Sequence, residues 1–132
     1  MSWIFDSSSI FLGIVENRLK IFSDGVTLDL AYYEVGNTIW KYTHLLKKIG
    51  EEDALTLMEA LDELFINMDV LRYGELSGKE VMRISLESDL TIYDGAFIWI
   101  ARLYGLPIIT EDRKLRKVCE RRKIEAYSLH EI

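Results

Sequence analysis

Short apolar runs alternate with longer amphipathic stretches along the whole chain. Trp3-Ile4-Phe5 is continuous and apolar up to Asp6, the pattern of a central parallel strand buried on both faces. Ser7-Ser8-Ser9 then reads as the cap of a helix over residues 10–22, closed by Asp24-Gly25. Residues 26–28 read as a short extended piece. From about residue 29 to 48, Val35, Ile39, Tyr42 and Leu46 recur at helical spacing until Gly50. A third helix is expected over 51–65, a strand over 68–71, a turn over 74–78 and a helix over 79–87. Residues 91–104 form a helix that is apolar nearly all round and ends at Gly105. Leu106-Pro107-Ile108-Ile109 is a buried strand running into Thr110, followed by a helix over 111–122 and a final strand over 125–127. Alternating helix and strand predict a three-layer α/β/α fold with a central parallel sheet of four or five strands, in one domain spanning 1–132.

Composition agrees with a packed globule: 49% of residues are hydrophobic, 29% are charged, and there is one proline. A chain of 132 residues collapses to a radius of gyration of roughly 14 Å. The lone Cys119 excludes an intramolecular disulfide and any multi-cysteine zinc site, which makes a reducing cytoplasm the expected location. The apolar opening lacks basic residues and meets Asp6 early, so it is not read as a secretion signal. No stretch approaches the roughly 18 apolar residues of a membrane span. Glutamine is absent and asparagine occurs only at 17, 37 and 67, a bias towards a heat-adapted source.

A net charge of −6 argues against coating nucleic acid by bulk electrostatics. Placement changes that picture, because seven of the sixteen basic residues fall between Arg113 and Lys123. Glu51, Glu52, Asp53, Glu59, Asp62 and Glu63 form an acidic segment in mid-chain. Solvated helix faces account for both runs in the simplest reading.

Ligands of open parallel sheets sit beyond the carboxyl ends of the strands, where Asp6 and Asp112 must project. On the 91–104 helix, a 100° step per residue sets Asp94 between Ile98 and Ala101, so its carboxylate leaves an apolar stripe. Each acid also has a local explanation. Thr91-x-x-Asp94 resembles a capping box, Asp112 can stabilise a helix dipole after a Thr110 cap, and Asp6 can cap the next turn. Glu34 shares a stripe with Asn37, Lys41 and His44, opposite the apolar face, that can simply be wet. Together they are harder to explain, since two like charges about 4 Å apart repel by roughly 4 kcal/mol at an effective dielectric of 20. Such a set calls for a cation. Oxygen-only ligation suits Mg²⁺ or Mn²⁺, whereas zinc is poorly served by His44 and His130, far apart in sequence.

Phe5-Asp6-Ser7-Ser8, Tyr33-Glu34-Val35-Gly36-Asn37, Tyr93-Asp94-Gly95-Ala96 and Ile109-Thr110-Glu111-Asp112-Arg113-Lys114-Leu115 resemble the PIN-domain nucleases, most of all VapC-type toxins of toxin–antitoxin pairs. The resemblance spans the chain in order and spacing, with only general helix and strand character between about residues 42 and 90. It implies a metal-dependent ribonuclease whose acidic cluster maps to Asp6, Glu34, Asp94 and Asp112, with Ser8 and Thr110 as supporting hydroxyls and Asn37 beside Glu34. One or two Mg²⁺ or Mn²⁺ ions are implied, with a cognate antitoxin carrying a basic segment and a homodimer. Gly95 stands where the family more commonly has alanine, and Glu111 precedes Asp112, the better motif match of the two.

The expected chemistry is in-line hydrolysis of an RNA phosphodiester, with Asp6, Asp94 and Asp112 on metal and Glu34 on metal or on the attacking water. Lys41 and His44 are candidates for substrate phosphates. The alternatives are a non-catalytic PIN-like module that binds metal or a partner's arginine, and a receiver-type signalling domain. The latter needs a phosphoacceptor at a strand end, for which Asp69 is the only candidate, and Asp69 precedes Val70-Leu71.

Overall fold

Five short strands, Ile4–Phe5 (β1), Val26–Leu28 (β2), Asp69–Leu71 (β3), Ile108–Ile109 (β4) and Ala126–Tyr127 (β5), form one parallel sheet in the order β3-β2-β1-β4-β5. The computed structural model describes residues 2–132. The most apolar runs hold the centre: Ile4, Phe5, Ile108 and Ile109 are fully buried, as strands covered on both faces require. Phe5 pairs in register with Ile109, so Asp6 and Thr110 emerge side by side at the carboxyl end of the sheet.

Six helices cover the two faces: Ser7–Val15 (α1), Leu30–Trp40 (α2), Glu51–Asn67 (α3), Gly78–Ser88 (α4), Ile92–Tyr104 (α5) and Arg113–Arg121 (α6). Parallel crossovers are right-handed. The chain steps β1 to β2 to β3 in one direction, which puts α1–α3 on one face, then returns to β4 and β5 in the other, which puts α4–α6 on the opposite face. The strand order reverses between β1 and β4. That crevice is the switch point at which open α/β sheets bind ligands, and Asp6 and Thr110 sit at it.

The helix expected over 10–22 is two pieces. It ends at Val15, Asn17 turns the chain at φ 56°, and Leu19–Phe22 forms one 3-10 turn. This reversal stacks the Phe22 ring on Gly13, where a β-carbon would lie 2.3 Å from the ring. The cap of α1 is Asp6, not the serines that follow: its carboxylate accepts the Ser9 N–H at 3.0 Å. The long helix expected to Lys48 ends as α2 at Trp40 and continues as a wide turn over Lys41–Leu45, in which the Leu46 N–H donates to the Lys41 carbonyl at 3.0 Å. Likewise α6 is capped by Asp112 and not by Thr110. Asp69 opens the edge strand β3, at the end of the sheet away from Asp6, which removes the receiver-type reading. Among the described residues no helix is long and apolar enough to cross a membrane. On α6, Leu115, Val118 and Cys119 are buried. Burial, followed by the nearby Asp6 charge, pushes the Cys119 thiol up to about 12.

Candidate active site

Asp6 is only 4% exposed, a costly place for a carboxylate unless its oxygens are partnered. One oxygen accepts the Ser8 hydroxyl at 2.7 Å and the Ser9 N–H at 3.0 Å, and the other accepts the Thr110 hydroxyl. Burial raises the Asp6 pKa above the ordinary carboxylate value, and these hydrogen bonds pull against it. The same hydroxyls tie the two strand ends together: Ser8 Oγ accepts the Glu111 N–H at 2.9 Å and Thr110 Oγ1 accepts the Asp112 N–H at 3.0 Å.

Asp94 lies in the first turn of α5. Thr91 Oγ1 accepts the Asp94 N–H at 3.2 Å. The reciprocal bond of a capping box is not formed among the described residues, which leaves the Asp94 carboxylate free. Desolvation, then the charges of Asp112 and Asp6, push its pKa up to about 6, partly offset by Lys114. Glu34 of α2 is half-buried, not wet. Desolvation raises its pKa, a hydrogen bond with Ser7 opposes this, and the charges of Asp94 and Asp6 raise it further. Charge coupling thus links Glu34 of α2 with Asp94 of α5 and with Asp6 at the end of β1, and Asp94 in turn with Asp112 beyond β4.

Asp112 has two tasks. Its Oδ1 caps α6 by accepting the Lys114 and Leu115 N–H groups at 2.9 and 3.3 Å, while its charge reaches Asp94. Glu111 turns away, accepting the Leu129 N–H at 2.7 Å on Oε2. Of Glu111 and Asp112, it is Asp112 whose charge raises the Asp94 pKa.

The Asn37 and Lys41 side chains are exposed and form no hydrogen bond with the acids among the described residues. His44 stacks on Trp40 with ring centroids 5.2 Å apart, beside an apolar groove between α2 and α3. Sequence reasoning passed over Ser7 and Lys114. The signal for Ser7 was its place in a serine triplet directly after a strand-end acid, each serine doing separate work: Ser7 on Glu34, Ser8 on Asp6 and Glu111, Ser9 on the Asp6 backbone carbonyl at 3.0 Å. Lys114 sits two residues beyond Asp112 and also pairs with Asp89 at 3.7 Å.

An all-oxygen donor set, with Asp6, Glu34 and Asp94 raised in pKa, suits a hard divalent cation. Among the described residues no three His, Cys, Asp or Glu side chains converge tightly enough to hold one ion between them. An ion bound among these acids would have to keep part of its water shell, as Mg²⁺ does. Gly95 gives no extra room beside Asp94. It faces α4, where a β-carbon would meet Ser85 Oγ at 2.0 Å.

A family model described as PIN domain matches residues 1–121. Ribonuclease VapC3 of Pyrobaculum aerophilum is 37% identical over 91 residues, covering 67% of this chain and 66% of that protein. Exonuclease VapC9 of the same organism is 34% identical over 88 residues, covering 67% of this chain and 62% of that protein. These matches span just under two-thirds of both relatives. The crystal structure of PAE2754 from Pyrobaculum aerophilum superposes with a TM-score of 0.75 at 28% identity, covering 89% of this chain and 84% of that one.

Proposed function

The chain belongs to the PIN-domain family, and on that premise we propose that it is a divalent-metal-dependent endoribonuclease, the toxin of a VapBC-type toxin–antitoxin pair. One observation carries the reading: Asp6, Glu34, Asp94 and Asp112 come from four separate segments, yet the charges of Asp6 and Asp112 raise the Asp94 pKa and those of Asp94 and Asp6 raise that of Glu34. A fold that gathers repelling carboxylates at its switch point gains from a cation that neutralises them.

Asp6, Asp94 and Asp112 are the residues that would hold Mg²⁺ or Mn²⁺, one ion or two, directly or through water. Such a cation supplies charge for a developing phosphorane and makes a bound water more acidic. Glu34, kept half-buried and hydrogen-bonded with Ser7, orients the attacking water and takes up its proton. Ser8 and Thr110 fix the Asp6 carboxylate, so no side chain has to reorganise as charge develops. Lys114 balances part of the negative charge at Asp94. None of these residues acts as a covalent nucleophile.

The VapC names of the relatives support an RNA substrate and a cognate antitoxin with a basic segment that would lie over the acidic pocket. The reading is completed by a homodimer, a cytoplasmic location and a heat-adapted source, the last supported by the absence of glutamine. Asn37, Lys41 and His44 are assigned no step. Incubating the purified protein with structured RNAs, with and without Mn²⁺, tests the proposal. Internal cleavage that needs the ion and disappears in Asp94→Asn is the expected result. Metal-independent cleavage, or an unimpaired variant, would remove it.

A further inference from the structure

The face of α6 that leads away from the acids is built from Arg113, Arg116, Lys117 and Glu120, spaced as one helical stripe. These four line a cleft of about 460 Å³ whose remaining walls are Ile124 and Ala126, beside the outer edge strand β5. The cleft begins one residue past Asp112. Arg116 is engaged by Glu131 at 3.3 Å, whereas Arg113 and Lys117 are exposed and form no ion pair among the described residues. In a chain of net charge −6, two unpaired cations on the first two turns of a helix capped by Asp112, with Glu120 as the one carboxylate further along the cleft, call for a polyanion arriving along that helix.

We infer that this cleft binds the ribose-phosphate backbone of the RNA strand flanking the scissile bond, with Arg113 and Lys117 each on one phosphate. The assignment rests on the nuclease reading for its substrate, and it adds a point of attachment outside the acids. Carboxylates repel an incoming phosphodiester, so a strand held only by the pocket would be poorly retained at physiological salt. Contacts along α6 offset that repulsion before the scissile phosphate reaches the acids. They carry no base information and set the register of the strand.

The double variant Arg113→Gln/Lys117→Gln tests this. A charge-matched control, Lys20→Gln/Lys79→Gln, changes one residue beyond the far end of α1 and one in the first turn of α4. Binding of a labelled single-stranded RNA is measured across a salt series in an Asp94→Asn background, so that no turnover intervenes. Two lost phosphate contacts are expected to flatten the slope of log K against log salt by about 1.4, at about 0.7 per contact for a single strand. In the active protein, KM for long RNA is expected to rise, while cleavage of a dinucleotide, which has no flanking phosphate, stays unchanged. The charge-preserving Arg113→Lys/Lys117→Arg keeps the wild-type slope. A slope equal to the control's overturns the proposal. So does a double variant that binds RNA normally but loses competition by polyglutamate, which would give the cleft to an acidic protein. Failure of the nuclease reading shows separately, as wild type that cleaves neither substrate with Mn²⁺, and leaves the binding slope to decide the cleft.

Discussion

A β-carbon at Gly95 would lie 2.0 Å from the Oγ of Ser85 and 3.2 Å from the Val81 carbonyl oxygen. Ser85 cannot easily yield, because its hydroxyl is buried and donates to Val81 O at 2.9 Å, with Thr91 O at 3.2 Å. Gly95→Ala gains up to about 1 kcal/mol of helix propensity but forces α5 away from α4, and overpacking of this kind costs about 1–3 kcal/mol. Net destabilisation of about 1 kcal/mol is expected in denaturant titrations. Adding Ser85→Ala, which removes the closest atom, is expected to restore part of it; a Gly95→Ala protein as stable as wild type would contradict this account.

Asp94 carries a folded-state pKa of about 6 against an ordinary 3.8. The folded state thus holds this proton more tightly than the unfolded chain. The group costs nothing below about pH 4, and its penalty grows as the pH rises through about 6. Without divalent ions, Asp94→Asn is expected to melt above wild type at neutral pH, with the gap closing on acidification through that window. Mn²⁺ is expected to raise the melting temperature of wild type more than that of the variant. A gap that does not change with pH would mean that neither burial nor the neighbouring charges raise the Asp94 pKa.

Glu111 and Asp112 are adjacent, and their effects should separate. Asparagine caps a helix as well as aspartate does, so Asp112→Asn is expected to keep its stability and lose cleavage. Glu111→Ala removes the acceptor of the Leu129 N–H. It is expected to cost about 1 kcal/mol and to leave cleavage standing, as seen by paired melting and RNA digestion. The reverse pattern would exchange the two assignments.

Thr110 is fully buried and serves Asp6 and the Asp112 N–H with one oxygen. Thr110→Val keeps the shape but leaves a buried carboxylate short of a donor and an amide short of an acceptor. A loss of about 1–3 kcal/mol is expected in denaturant titrations, with Thr110→Ser recovering most of it. A neutral Thr110→Val would show that water replaces the hydroxyl.

The strands were legible because apolar runs bounded by turn residues have few other uses, and β1 and β4 fall within the expected stretches. Asp6 and Asp112 followed from the same pattern, being the acids at the ends of those runs. The break after Val15 was not legible, since it depends on the Phe22 ring meeting Gly13, a contact with no local composition signal. Capping was misplaced for a related reason. Serine and threonine are good caps in isolation, but at both strand ends an aspartate occupies the extended residue before the helix. The effect of Ser7 on Glu34 needs α1 packed on α2 and so requires that packing to be known first, whereas the stacking of His44 on Trp40, four residues apart on one helical stretch, was open to a sequence reading and was passed over.

Cys119 lies fully inside, with its thiol pushed up to about 12, and a thiol of that kind does not react with alkylating reagents at neutral pH. With no other cysteine in the chain, any iodoacetamide adduct records a molecule whose last helix has lifted from the sheet. The protein thus carries one native reporter of its own opening, and slower labelling on addition of RNA or a cation would measure, without a dye or an engineered label, how far each ligand holds it shut.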